Sequence, residues 1–229
     1  MRLTRAWKAF ALVCMTIATI VILSSCSGDS KDISATASSP DQFSSLAQAH
    51  NYAGALFSKP INKFNGTLID TNNASFNIAN QTKGNVTLVY FGYTHCPDAC
   101  PIAMGTLAGV KRQMPADVSK DLKVIFITVD PQRDTPNVLK EWLAKFDSSF
   151  IGLTGSAEQI KAAAIAYGIP YEKIDKATPE QLDYFVDHFS GIFVYSSDNM
   201  AHLLYPAEGI TVDIWARDIT RLAKEGFQP

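Results

Sequence analysis

A short apolar strand that leads into a cysteine-bearing turn constrains the fold of this chain more than any other feature. Residues 86–91 are apolar, and the turn after them brings Cys96 and Cys100 to the start of a helix predicted over 96–114. Residues four apart on a helix lie on one face, one turn apart, and N–H groups at a helix start favour thiolate over thiol. The pair can therefore bind a soft metal ion, close into a disulfide, or do both.

Strands and helices alternate around this turn. Residues 122–129 form a nearly continuous apolar run, typical of a strand buried on both faces. Asn-Gly and Asn-Asn pairs at 65–66 and 72–73 predict a β-hairpin within 59–81. We predict an α/β, thioredoxin-like fold with an N-terminal β-hairpin extension and a β-hairpin and helix at its end. The other predicted elements are strands over 86–91, 192–195 and 200–205 and helices over 96–114, 135–146, 156–168 and 211–225.

Composition narrows the class of partner. The 229 residues are 47% apolar and 18% charged, with 20 Lys and Arg against 22 Asp and Glu. The chain has no run of basic residues, and binding to phosphate backbones requires a basic surface. We therefore predict no nucleic-acid partner.

The N-terminus has the pattern of a processing signal. Arg2, Arg5 and Lys8 precede an apolar stretch over 9–23, and the sequence Leu-Ser-Ser-Cys then ends at Cys26. This ending resembles a bacterial lipobox, in which the cysteine carries the lipid anchor. An uncleaved transmembrane anchor is the alternative, and both interpretations tether the protein to the outer face of a membrane.

The predicted organisation follows from that signal. Residues 1–25 are a lipoprotein signal peptide, 26–52 are a flexible tether rich in Ser, Ala, Asp and Gln, and 53–229 are the thioredoxin-like domain. We expect a lipid-anchored protein of the bacterial cell membrane, with its domain on the extracytoplasmic side.

Within that domain the cysteine pair stands alone, because the other two cysteines fall in the signal and its cleavage site. A vicinal pair outside the cytoplasm tends to oxidise. A purely structural disulfide is the weaker interpretation, since a bridge between residues four apart closes a very short loop and constrains the unfolded chain little.

Four segments of the chain form a distinctive set: Tyr90-Phe-Gly-Tyr-Thr-His-Cys-Pro-Asp-Ala-Cys-Pro101, Val129-Asp-Pro-Gln-Arg-Asp-Thr-Pro136, Phe150-Ile-Gly-Leu-Thr-Gly155 and Tyr184-Phe-Val-Asp-His188. Together they resemble the Sco/SenC family of membrane-tethered, copper-binding proteins associated with assembly of the binuclear copper site of cytochrome c oxidase. The resemblance runs from about residue 57 to residue 205, with the four segments in the family order.

The resemblance implies a copper site made by Cys96, Cys100 and His188. Thiolates select Cu(I), and imidazole accepts copper in either oxidation state. An open site with three ligands would permit release by ligand exchange, unlike a closed zinc site with four. The implied partners are the copper-bearing subunit of cytochrome c oxidase, a thiol reductant or copper donor, and the membrane through Cys26.

The resemblance implies that the protein is a copper metallochaperone, and two other functions are alternatives to this interpretation. An extracytoplasmic thiol-disulfide oxidoreductase would keep the cysteines of its target reduced, although such enzymes favour two residues between the thiols and this chain has three. A peroxiredoxin-like peroxidase has little support, because Tyr93 and Pro97 stand where such enzymes carry Thr or Ser three residues before the reactive cysteine.

Several polar residues near the motifs have simpler interpretations. We expect His95 to be a loop residue, Asp98 to complement the helix start, and His202 to lie on the surface. Asp130 closes a strand near the site, or forms a simple turn. Asp187 is a candidate to orient His188, Phe189 is large where the family commonly has Ser or Thr, and Arg133 and Asp134 form a local ion pair or a docking surface.

Overall fold

The computed structural model describes residues 51–169, 186 and 189–228. In these residues the strands are β1 (Ala55–Asn62), β2 (Thr67–Asp70), β3 (Ser75–Asn77), β4 (Thr87–Gly92), β5 (Lys123–Thr128), β6 (Ile151–Thr154), β7 (Gly191–Tyr195) and β8 (Met200–Pro206). The helices are α1 (Ile78–Gln81), α2 (Ala99–Gln113), α3 (Ala116–Ser119), α4 (Pro136–Leu143), α5 (Ala157–Ala166) and α6 (Val212–Glu225).

The described strands form one mixed sheet in the order β1-β8-β7-β4-β5-β6-β2-β3. β4 pairs in parallel with β5 and antiparallel with β7, and β5 pairs in parallel with β6. Every residue of β4 and β7 is buried. The central strands are continuously apolar because helices cover both faces of the sheet.

Neighbouring residues of β4 face opposite layers. Tyr90 shares a cross-strand row with Tyr205, which packs on Trp215 of α6 with 4.1 Å between ring centroids. Phe91 points to the other face, where its ring centroid lies 5.0 Å from that of Tyr167 at the end of α5. α2 contacts α6 on the Tyr90 face, so the start of α2 stands directly over β4.

The predicted N-terminal hairpin forms around only one of the two asparagine-containing pairs that indicated it. β2 and β3 pair antiparallel around the Asn-Asn turn at 72–73, where Asn73 has φ 59°, a conformation that Asn tolerates. The Asn-Gly pair at 65–66 is not a hairpin turn, because β1 pairs with β8 at one edge of the sheet and β2 pairs with β6 near the other.

Side chains of helix α6 contact the first described residues of the chain. Asp218 is buried and accepts a hydrogen bond from the Ala53 N–H at 2.7 Å. Arg221 donates to the carbonyl of Asn51, and its guanidinium lies 4.0 Å from the ring centroid of Tyr52. Tyr52, placed in the predicted tether, is therefore packed against the domain at 1% exposure.

The predicted signal peptide, Cys26 and residues 26–50 of the tether lie outside the described residues. Within the ranges that the structure describes, no helix has the length and apolar character needed to cross a bilayer.

Candidate metal centre

The loop between β4 and α2 brings the two cysteines together. The Cys100 N–H donates to Cys96 Sγ at 3.4 Å, and the Cys96 N–H donates to the Tyr93 carbonyl at 3.2 Å. The prediction that the helix begins at residue 96 was wrong, because α2 begins at Ala99. Proline at 97 disfavours helical geometry at the residue before it, so Cys96 lies in the turn and Cys100 in the first turn of the helix.

Asp98 is the N-cap residue of α2, as its predicted place at the helix start required, but its side chain makes no capping hydrogen bond. Cys96 Sγ instead accepts one of the N–H groups near the helix start. The first turn of α2 is thus partly satisfied by a sulfur atom, which draws the two cysteines to the same place.

Tyr90 and Gly92 of β4 lie next to the Cys100 sulfur. The Tyr90 hydroxyl donates to Cys100 Sγ at 3.7 Å, and both side chains are 0% exposed. A Cβ atom at Gly92 would lie 2.6 Å from the same sulfur, closer than the atoms can approach. Strand β4 therefore ends in the residue type that leaves room for this sulfur.

The ionisation of Cys100 differs from the sequence expectation of a favoured thiolate. Burial raises the pKa of the Cys100 thiol, although hydrogen bonds from the Tyr93 backbone and the Tyr90 hydroxyl act in the opposite direction. Burial also raises the pKa of the Tyr90 hydroxyl, and the nearby Cys100 sulfur adds to that shift. Desolvation outweighs the helix start at this position, so a metal ion that binds Cys100 must displace its proton.

A buried carboxylate ties the cysteine loop to β5. Asp134 accepts hydrogen bonds from the Thr94 N–H at 3.0 Å, the Thr94 hydroxyl at 2.6 Å and the Thr128 hydroxyl at 2.7 Å. Burial raises the pKa of the Asp134 carboxyl, and these hydrogen bonds oppose the shift. Asp134 thereby fixes the chain two residues before Cys96.

The local ion pair that was one of the two interpretations of Arg133 and Asp134 has a different partner. Arg133 forms its ion pair with Asp130, and its guanidinium carbon lies 5.6 Å from the ring centroid of Tyr93. The Asp134 carboxylate is completely buried and accepts hydrogen bonds from Thr94, whereas the largely buried Arg133 side chain pairs with Asp130. The loop after β5 thus contacts the cysteine loop through side chains of both residues.

The two histidines in the described residues are placed differently. His95 lies in a loop, as predicted, and is exposed, with its Nδ1 3.1 Å from the Thr94 hydroxyl. His202, predicted at the surface, is partly buried: its side chain is 14% exposed, it contacts Asp198 at 2.7 Å, and it stacks on Phe227 at 4.0 Å between ring centroids. Its neighbours in β8 pair with the start of β4 through β7, so His202 lies at the edge opposite the cysteines.

The third predicted ligand, His188, lies outside the described residues, as does Asp187. In the part of the chain that the structure describes, no group of three or more His, Cys, Asp or Glu side chains could hold a metal ion. Phe189 is described: it is 37% exposed and its ring centroid lies 5.8 Å from that of Phe193 in β7.

Comparison with known proteins assigns this arrangement to a family. The model of the SCO1/SenC family matches residues 61–224, which include both cysteines and the segment around residue 188. The chain belongs to the SCO1/SenC family. The sequence motifs had indicated this family, and its match extends from β1 into α6.

Individual SCO relatives agree in sequence and fold. An SCO2-like protein of Rickettsia prowazekii is 36% identical over 157 residues, which are 69% of this chain and 73% of that protein. The structure of Bradyrhizobium japonicum ScoI with copper bound has 31% identity and a TM-score of 0.60, covering 71% of this chain and 97% of that one. Yeast Sco1 with copper bound has 28% identity and a TM-score of 0.64, covering 73% and 88%.

These matches confirm the predicted α/β, thioredoxin-like fold. Both structures named above contain copper, the metal that the sequence predicts.

Sequence reasoning missed the residues that shape the Sco cysteine loop. Tyr90, Gly92 and Thr94 were part of the quoted motif, but no role was assigned to them. A glycine at the end of an otherwise apolar strand is a signal for close approach of another group, and it pointed to Gly92. No local pattern pointed to the contact of Thr94 with Asp134, which are 40 residues apart.

Proposed function

We propose that this protein is a membrane-anchored copper metallochaperone. It binds copper through Cys96, Cys100 and His188 and supports assembly of the copper site of cytochrome c oxidase. The observation that carries the proposal is the convergence of two cysteines, with the Cys100 N–H 3.4 Å from Cys96 Sγ, in a family with copper-bound members.

The chemistry of the pair supports this assignment. Two sulfur ligands favour Cu(I), and an added imidazole allows Cu(II) as well. Asp134 and Tyr90 hold the loop and one sulfur in place, which lowers the cost of ordering the ligands when the metal binds. The cargo would leave by ligand exchange, since three ligands leave a coordination position open to a recipient.

Titration with Cu(I) and Cu(II) tests the ligand set. We expect the purified reduced protein to bind one copper ion and to show thiolate-to-copper charge-transfer absorption with Cu(II). Cys96→Ser, Cys100→Ser and His188→Ala should each lose that spectrum or bind copper much more weakly. His95→Ala is the matched control, because it removes an exposed imidazole next to Cys96. An unchanged spectrum and affinity in His188→Ala would remove that residue from the site.

The oxidase partner is tested in cells. Deletion of the gene should lower the copper content of cytochrome c oxidase, and the three ligand variants should fail to restore it. BsSco, which has the same fold at 21% identity, is described as a member of the Sco family of cytochrome c oxidase assembly proteins. Normal oxidase copper in the deletion strain would contradict this part of the proposal.

A thiol-disulfide oxidoreductase is the second candidate, and the thioredoxin-like fold with adjacent cysteines favours it. Cys96 would be the attacking sulfur, since it is 8% exposed and Cys100 is completely buried. A His188→Ala protein that fully supports oxidase assembly would favour this chemistry over metal delivery, because thiol exchange needs the two cysteines and not the imidazole.

The anchor is tested separately. A lipidated Cys26 predicts that Cys26→Ser abolishes signal processing and membrane lipidation. Cys14→Ser is the matched control, since it changes a cysteine within the apolar stretch of the signal. Normal maturation of the Cys26→Ser protein would refute the lipoprotein assignment.

A further inference from the structure

The sulfur of Cys100 occupies a compartment that β4 builds for it. A Cβ atom at Gly92 would lie 2.6 Å from Cys100 Sγ and 2.8 Å from Tyr90 Cε1. The sulfur and the tyrosine ring therefore fill the space above the glycine. The Tyr90 hydroxyl donates to the sulfur at 3.7 Å, and because both side chains are 0% exposed, water does not replace this contact.

We propose that Tyr90 is a positioning residue for the Cys100 sulfur. Its hydroxyl holds Sγ as a hydrogen-bond acceptor and thereby biases the cysteine pair toward the reduced state that metal binding requires. The inference rests on the proposed function, in that this pair is the copper site. Its redox consequence, however, is measured without copper.

The bias follows from the difference between the two sulfur states. When Cys96 and Cys100 oxidise, two S–H bonds break, one S–S bond forms, and two electrons and two protons pass to an oxidant such as oxidised dithiothreitol, whose own disulfide becomes a dithiol. A sulfur in a disulfide is a poorer acceptor than a thiol or thiolate. Weakening a hydrogen bond of a buried donor is unfavourable, so the Tyr90 hydroxyl opposes oxidation.

Tyr90→Phe tests the proposal, because it removes one oxygen and keeps the ring. Equilibrium of the purified protein with a dithiothreitol redox buffer is read by mass spectrometry of the alkylated peptide that carries Cys96 and Cys100. From the typical net contribution of one hydrogen bond, we expect the equilibrium to move about threefold to tenfold toward the disulfide. This corresponds to a reduction potential about 14 to 30 mV more negative.

Tyr195→Phe is the matched control. Tyr195 is also a buried tyrosine of a central strand, and its hydroxyl donates to the Asn62 carbonyl at 3.2 Å, at the opposite end of β4 from the cysteines. Loss of this hydroxyl should change stability and leave the potential unchanged. A folded Tyr90→Phe protein whose potential equals that of the wild type, or is more positive, overturns the proposal.

Copper gives a second measurement that separates the two hypotheses. The thiolate-to-Cu(II) absorption should shift in Tyr90→Phe and remain in place in Tyr195→Phe; an unshifted band would contradict the role of Tyr90. If the wild type binds no copper while Tyr90→Phe still shifts the potential, the proposed function fails and the role of Tyr90 stands. If the wild type binds copper and Tyr90→Phe does not change the potential, the role of Tyr90 fails and the proposed function stands.

A measurement on the wild-type side chains replaces the variant if Tyr90→Phe does not fold. The protein is labelled with 3-fluorotyrosine, and the Tyr93→Phe variant identifies the ¹⁹F signal of Tyr93 so that this signal can be set aside. Oxidation of the cysteine pair should then move the ¹⁹F resonance of another tyrosine. Absence of such a shift overturns the proposal.

Discussion

At the scale of single residues, small side-chain choices around Cys100 determine where its sulfur lies. The Gly92 position has no room for a methyl group, and the nearest atoms belong to Cys100, Tyr90 and Phe126. The sulfur is therefore held by steric limits as well as by its hydrogen bonds. Packing in protein interiors is dense enough that one added methyl group must displace its neighbours.

Gly92→Ala should displace Cys100 Sγ and weaken copper binding. We expect a loss of about 1–3 kcal/mol in the free energy of unfolding, as in other overpacked cores, measured by urea denaturation, with weaker Cu(I) binding in a competition titration. Gly105→Ala is the control: it lies on α2 with open space around its Cβ position, so it should gain roughly 0.5–1 kcal/mol. Unchanged stability and affinity in Gly92→Ala would show that the compartment can expand.

At the scale of secondary-structure elements, α5 shows how a local signal becomes a tertiary contact. Ser156 Oγ accepts from the Gln159 N–H at 3.3 Å, and Gln159 Oε1 accepts from the Ser156 N–H at 2.8 Å, which is a capping box. The amide of Gln159 also donates to the Thr67 carbonyl in β2 at 2.9 Å. The cap therefore fixes both the start of α5 and its attachment to β2, the strand next to the edge of the sheet.

Ser156→Ala should lower the free energy of unfolding by about 1 kcal/mol, because it removes an N-cap acceptor. Chemical denaturation measures the change. Thr211→Ala is the matched control, since Thr211 stands at the N-cap of α6 without a capping hydrogen bond from its side chain. Equal losses in the two variants would contradict the assignment of the effect to the cap.

At the scale of the whole molecule, a buried lysine just after β1 connects distant segments of the chain. Lys63 Nζ donates to the Thr82 carbonyl at 2.7 Å, the Asn85 carbonyl at 3.3 Å and Asn199 Oδ1 at 3.1 Å. Burial lowers the pKa of Lys63 to about 8, and attraction to Asp198 opposes this shift. This amine joins the turn between β7 and β8 to the segment that precedes β4.

The folded protein should gain stability as pH rises from 8 toward 10.5. In that range the unfolded chain still binds the Lys63 proton that the folded protein has released, so the free energy of unfolding increases with pH. Urea denaturation at several pH values measures the slope. Lys63→Met should flatten it, and Lys59→Met, which changes an exposed lysine of the preceding strand β1, should not. A wild-type slope that Lys63→Met leaves intact would assign the effect to other groups.

Much of the fold was accessible from local patterns. Continuous apolar runs predicted β4 and β5, and Thr135 and Ser156 marked the starts of α4 and α5 within a residue. These signals depend on neighbours within one turn of a helix or one strand, and such contacts form wherever that sequence folds. The short strand β6 lacked a pattern long enough to distinguish it from a loop, although it lies in a motif that marks the family.

Local sequence patterns were enough to establish the alternation of strands and helices, the spacing of Cys96 and Cys100, and membership in the SCO1/SenC family. Three features follow from tertiary packing instead: the partner of Arg133, the partial burial of His202 and the raised pKa of Cys100. Each of these depends on segments far apart in the chain or on the exclusion of water. Local patterns record backbone preferences, whereas desolvation and side-chain pairing exist only after the sheet and its helices have packed.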